Sequence, residues 1–387
     1  MDFSYRMQTQ IEFGDGRAAK LVDDLSLLFK PGESLMVVTD PGVLQTGMLE
    51  PLLQMLHKAR YQVALFSDVK PNPRDEDCLR GAALMREQNV SAVVAVGGGS
   101  AMDTAKTIAL LGRSGGVPRE YADGERLYEE VAPIICLPTT AGTGSEVTRS
   151  AVITEHATHR KMTLKHERLR PTLAILDPLL TRSVPPSVTA ATGVDALVHA
   201  IEGATCRLST PLSRAFGEQA MQLIVPSLRR AVACGEDLDA RRAMLEGSLL
   251  AGLSFGSTDV AAVHCLAEAL GGLYDTPHGV ANAVFLPSVL RFNAEAYPVL
   301  HARLARVMNF ASTADSDQLA VAKLLDGIRA WTAELGIPKL RDLASVRVED
   351  FEHLADLAFQ NGSTKSNVRP VTREDYQTLL DETYQWT

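Results

Sequence analysis

Paired cysteines, long apolar runs and surplus positive charge are all scarce in this sequence. Its five cysteines, Cys78, Cys136, Cys206, Cys234 and Cys265, are odd in number and scattered, with no CxxC pair. That pattern argues against a disulfide framework or a zinc ribbon and predicts free, mostly buried thiols. No apolar run reaches the roughly 18 residues that a bilayer-spanning helix needs, so no membrane partner is expected. The opening MDFSYRMQTQIEFGDG lacks the apolar core of a signal peptide, which makes the cytoplasm the expected location. A formal charge of -9 gives the surface no electrostatic attraction for nucleic acid or an anionic membrane. Repeats, low-complexity tracts and long linkers are also missing.

What is present is a chain of 387 residues with 46% hydrophobic content, enough to bury sizeable cores in two domains. SLMVVTD (34–40), YQVALFSDV (61–69), SAVVAVGG (91–98), APIICLP (132–138) and LAILDP (173–178) read as strands. Segments such as RDEDCLRGAALMREQN read as helices between them. The alternation predicts parallel strands with helical crossovers, an α/β layered domain. After Pro185-Pro186 long apolar-periodic segments take over, among them SVTAATGVDALVHAIEGAT and SRAFGEQAMQLIVPSLRRAVA. We therefore expect an α/β domain over residues 1–183 and an all-α domain over residues 184–387.

Two loops of the first domain carry nucleotide chemistry. VVAVGGGSAMDTAKTIAL is a strand, a triple glycine and a helix, with Ser100 and Asp103 at a capping-box spacing. Glycines there let backbone amides approach a phosphate, which the positive helix end favours. A ligand-free tight turn fits the same residues. LPTTAGTGSEVT also follows a strand and adds hydroxyls and glycines, so the pair of loops points to a nucleotide cofactor. The acid of an ordinary Rossmann fingerprint, about 20 residues beyond its glycines, is missing, because only Glu120 or Asp123 stands there, in what reads as a loop.

In the second domain Asp195 and His199 stand at i and i+4 on an otherwise apolar helix, hence on one face. A divalent metal suits that pair, and so does an Asp–His hydrogen bond inside a core. His264 and Glu268 repeat the spacing, and His278 follows after Pro277. Together they point to a metal site, but spacing does not choose between Glu268 and His278 as fourth ligand.

These residues resemble the iron-containing, or group III, alcohol dehydrogenases from end to end. The likeness rests on VTD (38–40), PNP (71–73), GGGSAMDTAK (97–106), PTTAGTGSEVT (138–148), ILDP (175–178), TGVDALVHAIE (192–202), VHCLAEALGG (263–272) and PHGVAN (277–282). The resemblance implies an α/β dinucleotide-binding domain plus an all-α metal-binding domain, a dehydroquinate synthase-like architecture, in a homodimer or higher homo-oligomer. It implies metal ligation by Asp195, His199, His264 and His278. It also implies NAD contacts from Asp40, Asn72, Gly98, Gly99, Ser100, Thr139, Thr140, Thr143, Thr148 and Lys161. Asp40 then supplies the missing acid: it ends the VVTD strand, would bond the adenosine ribose hydroxyl and would repel a 2'-phosphate, so NAD is expected over NADP.

The implied activity is interconversion of a primary alcohol and an aldehyde with NAD(H), a divalent metal polarising the carbonyl or alkoxide. Fe2+ is the implied metal, and three nitrogens with one carboxylate also suit zinc, manganese or nickel. That donor set leaves a net positive charge, which a second carboxylate ligand would weaken. Glu268, standing where relatives usually carry a histidine, is therefore expected beside the ligands as hydrogen-bond partner or proton relay. Two further departures are Thr258-Asp259-Val260-Ala261, in place of small residues, and Asn367-Val368-Arg369, in place of Asn-Pro-Arg. The positions facing the nicotinamide map to Arg149, Ser150, Phe255, Asp259, Ser363 and Lys365. Simple or hydroxylated short aldehydes are the expected substrates. Arg149 and Lys365 offer an alternative, an aldehyde with a carboxylate, sulfonate or phosphonate tail. A second alternative, lyase chemistry of the dehydroquinate synthase kind, needs more basic residues than the sequence near the ligands offers.

Overall fold

The computed structural model describes residues 2–386. They divide into two compact units, one of Arg6–Val184 and one running from Pro185 onward that also includes the residues up to Tyr5. Four cysteines are buried, Cys234 is exposed, and all five are free. Among the described residues no helix is long and apolar enough to cross a membrane.

The first unit holds β1 (Gln10–Phe13), β2 (Ser34–Val38), β3 (Gln62–Phe66), β4 (Ala92–Gly97), β5 (Ile134–Pro138), β6 (Ser150–Thr154), β7 (Lys161–Lys165) and β8 (Leu173–Leu176). Six of these strands form a parallel sheet in the order β1-β8-β5-β4-β2-β3. β2, β4 and β5 are buried at every position, as strands covered on both faces must be. Successive residues serve opposite faces: Leu35, Val37, Val94 and Val96 enter one core cluster, and Met36, Val38, Val93 and Ala95 enter another. The chain steps outward in one direction from β2 to β3 and in the other from β4 to β5. The carboxyl ends of β2 and β4 therefore flank a topological switch point, the place where open α/β sheets bind ligands.

Three strands lie outside those expected from the sequence. β1 is a short, partly exposed edge strand, and β6 and β7 form a separate antiparallel hairpin. Lys161–Lys165 alternates polar and apolar side chains too briefly to signal a strand on its own, and Ser150–Thr154 does not alternate. The hairpin exists because Ala151, Ile153, Met162 and Leu164 close a core cluster with Cys78 and Leu110.

The capping box expected of Ser100 and Asp103 does not form. The helix there is Gly99–Ser114 with Gly98 as its cap, which puts Ser100 inside the first turn, where its Oγ donates to Pro71 O at 2.5 Å. Asp103 instead accepts from Ser145 Oγ at 2.7 Å and from Val152 N at 2.9 Å. One turn on, fully buried Lys106 donates from Nζ to Ser145 Oγ and Ser150 O, each at 2.8 Å, and to Thr148 O at 3.1 Å. Burial pulls the Lys106 amine below its ordinary value, and Asp103 opposes that shift. The two charges fasten the glycine-loop helix to the segment that follows β5.

The second unit contains no strand among its described residues. Pro186 opens the Pro186–Thr205 helix, a position where its missing N–H costs nothing. The helices Pro186–Thr205, Pro211–Ala233 and Leu238–Phe255 pack on one another. Their approach is close enough that a Cβ on Gly203 would stand 2.5 Å from Ser254 Oγ and 2.7 Å from Phe255 N. Ala262–Tyr274 and His278–Ala296 pack together, and the latter also packs on Pro186–Thr205.

Replacing Lys106 by Met should leave Thr148 O and Ser150 O without their buried donor, take the positive charge from the neighbourhood of Asp103, and cost about 1–3 kcal/mol of stability. Denaturant unfolding of the full chain measures it, and a change below about 1 kcal/mol would show that the pair bears little weight.

Candidate metal centre and cofactor loops

Three helices converge on four metal-capable side chains. Pro186–Thr205 carries Asp195 and His199, Ala262–Tyr274 carries His264, and His278–Ala296 begins with His278. One donor atom from each lies within 4.8 Å of all the others. His199 Nε2 and His264 Nε2 are 3.0 Å apart, while Asp195 Oδ1 is 3.6 Å from His278 Nε2 and 3.8 Å from His264 Nε2. Two donors about 2.1 Å from a tetrahedral ion stand about 3.4 Å apart, so these spacings fit one divalent ion. Asp195, His199 and His264 are buried, whereas the His278 side chain is 33% exposed, leaving one flank of the cluster open.

The donors' electrostatics also suit a cation. Burial pushes the Asp195 carboxyl up to about 6, against the pull of His264. Burial, aided by His264 and His278, takes His199 well below its ordinary value. For His264 burial acts downward, but the Glu202 and Asp195 carboxylates outweigh it and the ring lies above its ordinary value. With the His264 Nδ1 proton directed at Glu202, its Nε2 lone pair faces His199 Nε2. A divalent cation among these atoms favours ionised Asp195 and neutral imidazoles together. His199 Nδ1 and Asn282 Oδ1 are buried without hydrogen-bond partners, which also marks a site arranged around something more than its own side chains. Asn282 Nδ2 lies 2.7 Å from Asp195 Oδ1 and 3.1 Å from His278 Nε2, bridging the two.

Two side chains here were given no role by sequence reasoning. Asn282, one turn after His278, is the first. Glu202 is the second: its Oε2 lies 2.6 Å from His264 Nδ1. A signal existed, since Asp195, His199 and Glu202 at i, i+4 and i+7 share one helix face. Glu202 also alters the charge expected of the centre, because a second buried carboxylate in contact with a donor ring cancels the net positive charge that a divalent ion and the four donors would carry. Glu268 accepts from Asn361 Nδ2 at 2.6 Å, and its charge acts on His264.

The remaining candidates separate by unit. On the helical unit the Phe255 ring stacks on His199, centroids 4.2 Å apart. Asp259 accepts from Ser363 Oγ at 3.2 Å and from Ser366 Oγ at 2.7 Å, and Lys365 on the same turn is exposed. Asn367 links Asn293 and Arg369, and Arg369 donates to Phe292 O, so the two residues that flank the departure at Val368 brace the packing of this segment. On the first unit Arg149 Nη1 pairs with Glu167 Oε1 at 2.6 Å, and Ser150 O accepts from Lys106.

Most cofactor candidates of the first unit follow the carboxyl ends of β2, β4 and β5, whereas Asn72 follows β3 and Lys161 opens β7. Asp40 caps the turn after β2 by accepting from Val43 N, and its Oδ2 would lie 3.2 Å from a Cβ on Gly97. The two glycine loops touch: a Cβ on Gly98 would stand 3.1 Å from Thr140 Oγ1, and one on Gly99 would stand 2.4 Å from Thr143 Cγ2. Thr139 N donates to Gly97 O, and Thr148 Oγ1 accepts from Lys106 Nζ at 3.2 Å. Asn72 Oδ1 accepts from Lys161 Nζ at 2.6 Å, joining two more of the candidates.

A doubly wound α/β unit with paired glycine loops, together with a buried cluster of three histidines and one carboxylate, is the equipment of a metal-dependent dehydrogenase. Residues 8–178 match the family described as "Iron-containing alcohol dehydrogenase", and residues 189–384 match "Fe-containing alcohol dehydrogenase family, C-terminal". The chain is 38% identical to the 1,3-propanediol dehydrogenase of Klebsiella pneumoniae over 99% of both chains. It is 36% identical to the NAD-dependent methanol dehydrogenase of Bacillus methanolicus over 89% of this chain and 91% of that protein. The solved alcohol dehydrogenase from Oenococcus oeni superposes with a TM-score of 0.94 at 34% identity, covering 99% of this chain and 100% of that one. The chain belongs to the iron-containing alcohol dehydrogenase family. It is an NAD-dependent, metal-binding oxidoreductase that interconverts an alcohol and an aldehyde, and neither an anionic-aldehyde reductase nor a lyase is the favoured reading.

Gly99→Ala should push the Thr143 loop aside and weaken NADH binding at least tenfold while leaving bound metal unchanged. Fluorescence titration with NADH and metal analysis check it; unaltered NADH affinity would separate this glycine from cofactor binding.

Proposed function

We propose that Asp195, His199, His264 and His278 hold one divalent metal ion and that the enzyme reduces a short, uncharged or hydroxylated aldehyde to the primary alcohol. The convergence of four donors within 4.8 Å, one of them partly exposed, is the observation that carries this reading. When bound, the metal supplies Lewis-acid stabilisation of developing negative charge on the substrate oxygen, and NADH supplies the hydride. Fe2+ follows from the family, and the same donors suit zinc, manganese or nickel.

The rest of the work falls to the chain's own residues. Asn282 steadies Asp195 and His278, and Phe255 covers one face of His199 and keeps water from it. Gly98 and Gly99 open the helix start to a pyrophosphate, with Ser100 and the threonines Thr139, Thr140, Thr143 and Thr148 around it. Asp40 accepts the ribose hydroxyls and repels a 2'-phosphate, with Asn72 and Lys161 completing the nucleotide contacts. Asp259 and Ser363 on the helical unit offer the substrate polar groups. Arg149 is engaged by Glu167 and Lys365 is exposed, which speaks against an anionic tail. The relatives named for 1,3-propanediol and methanol support a short alcohol. A homodimer or larger assembly in the cytoplasm completes the proposal.

Metal-loaded protein should produce NADH from a panel of short alcohols and diols and consume it with the corresponding aldehydes, with NADH preferred to NADPH. No turnover with any member would remove the dehydrogenase reading, and a preference for NADPH would overturn the role of Asp40. For Glu268, held by Asn361 beside His264, replacement by Gln should lower turnover while metal stays near stoichiometric. Loss of the metal itself would reveal Glu268 as a ligand-holding residue instead.

A further inference from the structure

We infer that Glu202 is the positioning residue of the metal centre: one carboxylate fastens the start of the Ala262–Tyr274 helix and the ring of His264 together, aiming His264 Nε2 into the donor cluster. The inference rests on the assignment of the four donors above. Glu202 is buried at 4% exposure and meets three nitrogens. Its Oε2 accepts from Ala261 N at 2.7 Å and meets His264 Nδ1 at 2.6 Å, while its Oε1 accepts from Val263 N at 2.8 Å. Two of the three are backbone amides that can only donate, and one shares Oε2 with the imidazole. His264 Nδ1 therefore donates, which leaves Nε2 as the lone pair that a metal requires.

The same contacts solve a second problem. The first amides of a helix have no partners within it, and Ala261, the residue before Ala262–Tyr274, makes no side-chain cap. Glu202 reaches across from the neighbouring helix to take the Ala261 and Val263 amides, and Asn367 Oδ1 lies 3.5 Å from the amide of Ala262 between them. The positive end of the helix in turn lowers the cost of a buried carboxylate. His264 is the third residue of that helix, so backbone and side chain are held by one group. A carboxylate that receives the remote N–H of a ligand histidine raises the basicity of the ligating nitrogen, and losing it costs about 10–100-fold in metal affinity. An amide cannot replace it, since the NH2 of Gln would face at least one of three N–H groups.

Co2+ titration of the metal-free full-length protein tests this, with visible absorption reporting the coordination of the ion. Glu202→Gln should raise the apparent Kd for Co2+ about 10–100-fold and alter the absorption of the bound ion, in protein whose circular dichroism is that of the parent. Glu202→Asp, which keeps the charge but withdraws its oxygens, should move both readouts in the same direction, and it decides the matter if the Gln variant does not fold. A cap without a positioning role would lower Tm yet leave affinity and spectrum unchanged, and that result in a folded variant overturns the inference. If the parent binds no Co2+, or His264→Ala binds it as tightly as the parent, the four-donor assignment itself fails, which is a separate outcome.

Discussion

Burying carboxylates and imidazoles side by side in a helical core is the constraint on which the C-terminal unit depends. Asp195, His199, Glu202 and His264 are each at most 4% exposed. An ion taken out of water costs several kcal/mol unless charge and hydrogen bonds replace what water supplied. The replacement comes from the helices themselves. Asn282 donates to Asp195, the amides of Ala261 and Val263 to Glu202, and the His264 ring lies between the two carboxylates. Each of these contacts crosses from one helix to another, so the helices cannot slide without stranding a charge. The close approach at Gly203, which brings Phe255 onto His199, belongs to the same arrangement.

A smaller version of this constraint organises the first unit. Lys106 and Asp103, both engaged with Ser145, join the glycine-loop helix to the loop after β5. A phosphate-binding loop works by presenting amides in a fixed geometry, and amides on two loops agree only if the loops are fastened to each other. Lys106 and Asp103 do this through Ser145, and Lys106 also holds Thr148. In both units polar groups are buried for position, at a cost that apolar packing around them offsets.

The covered parallel strands β2, β4, β5 and β8 were legible because they are apolar on both faces, as in VVAVG and IICLP, and such runs have few other homes; the partly exposed edge strand β1 was not. The β6–β7 hairpin was not, because its two five-residue segments acquire meaning only against Cys78 and Leu110, residues far away in the chain. Ser100 and Asp103 satisfied a capping spacing and still did something else, since local spacing states what a side chain can reach and not what competes for it. At the metal centre the helical spacings brought out Asp195, His199 and His264 and drew attention to Glu268 for the same reason. Glu202 shares the face of Asp195 and His199 as surely, but its partners are two amides and a ring some sixty residues later.

By itself, then, the sequence determined the class of each unit and the inventory of chemistry: hydrophobic period sets strand or helix, and glycine, acid and imidazole at close spacing set what a local segment can bind. Only the tertiary structure decided which carboxylate touches which ring. Asp195, Glu202 and Glu268 are equivalent as letters, and the difference between them is one of distance and donor direction. Asp195 faces three imidazoles, Glu202 a ring nitrogen and a helix start, and Glu268 the amide of Asn361. Hydrogen bonding and Coulomb interaction act over a few ångströms of space, whatever the separation along the chain, so those choices are made where helices meet.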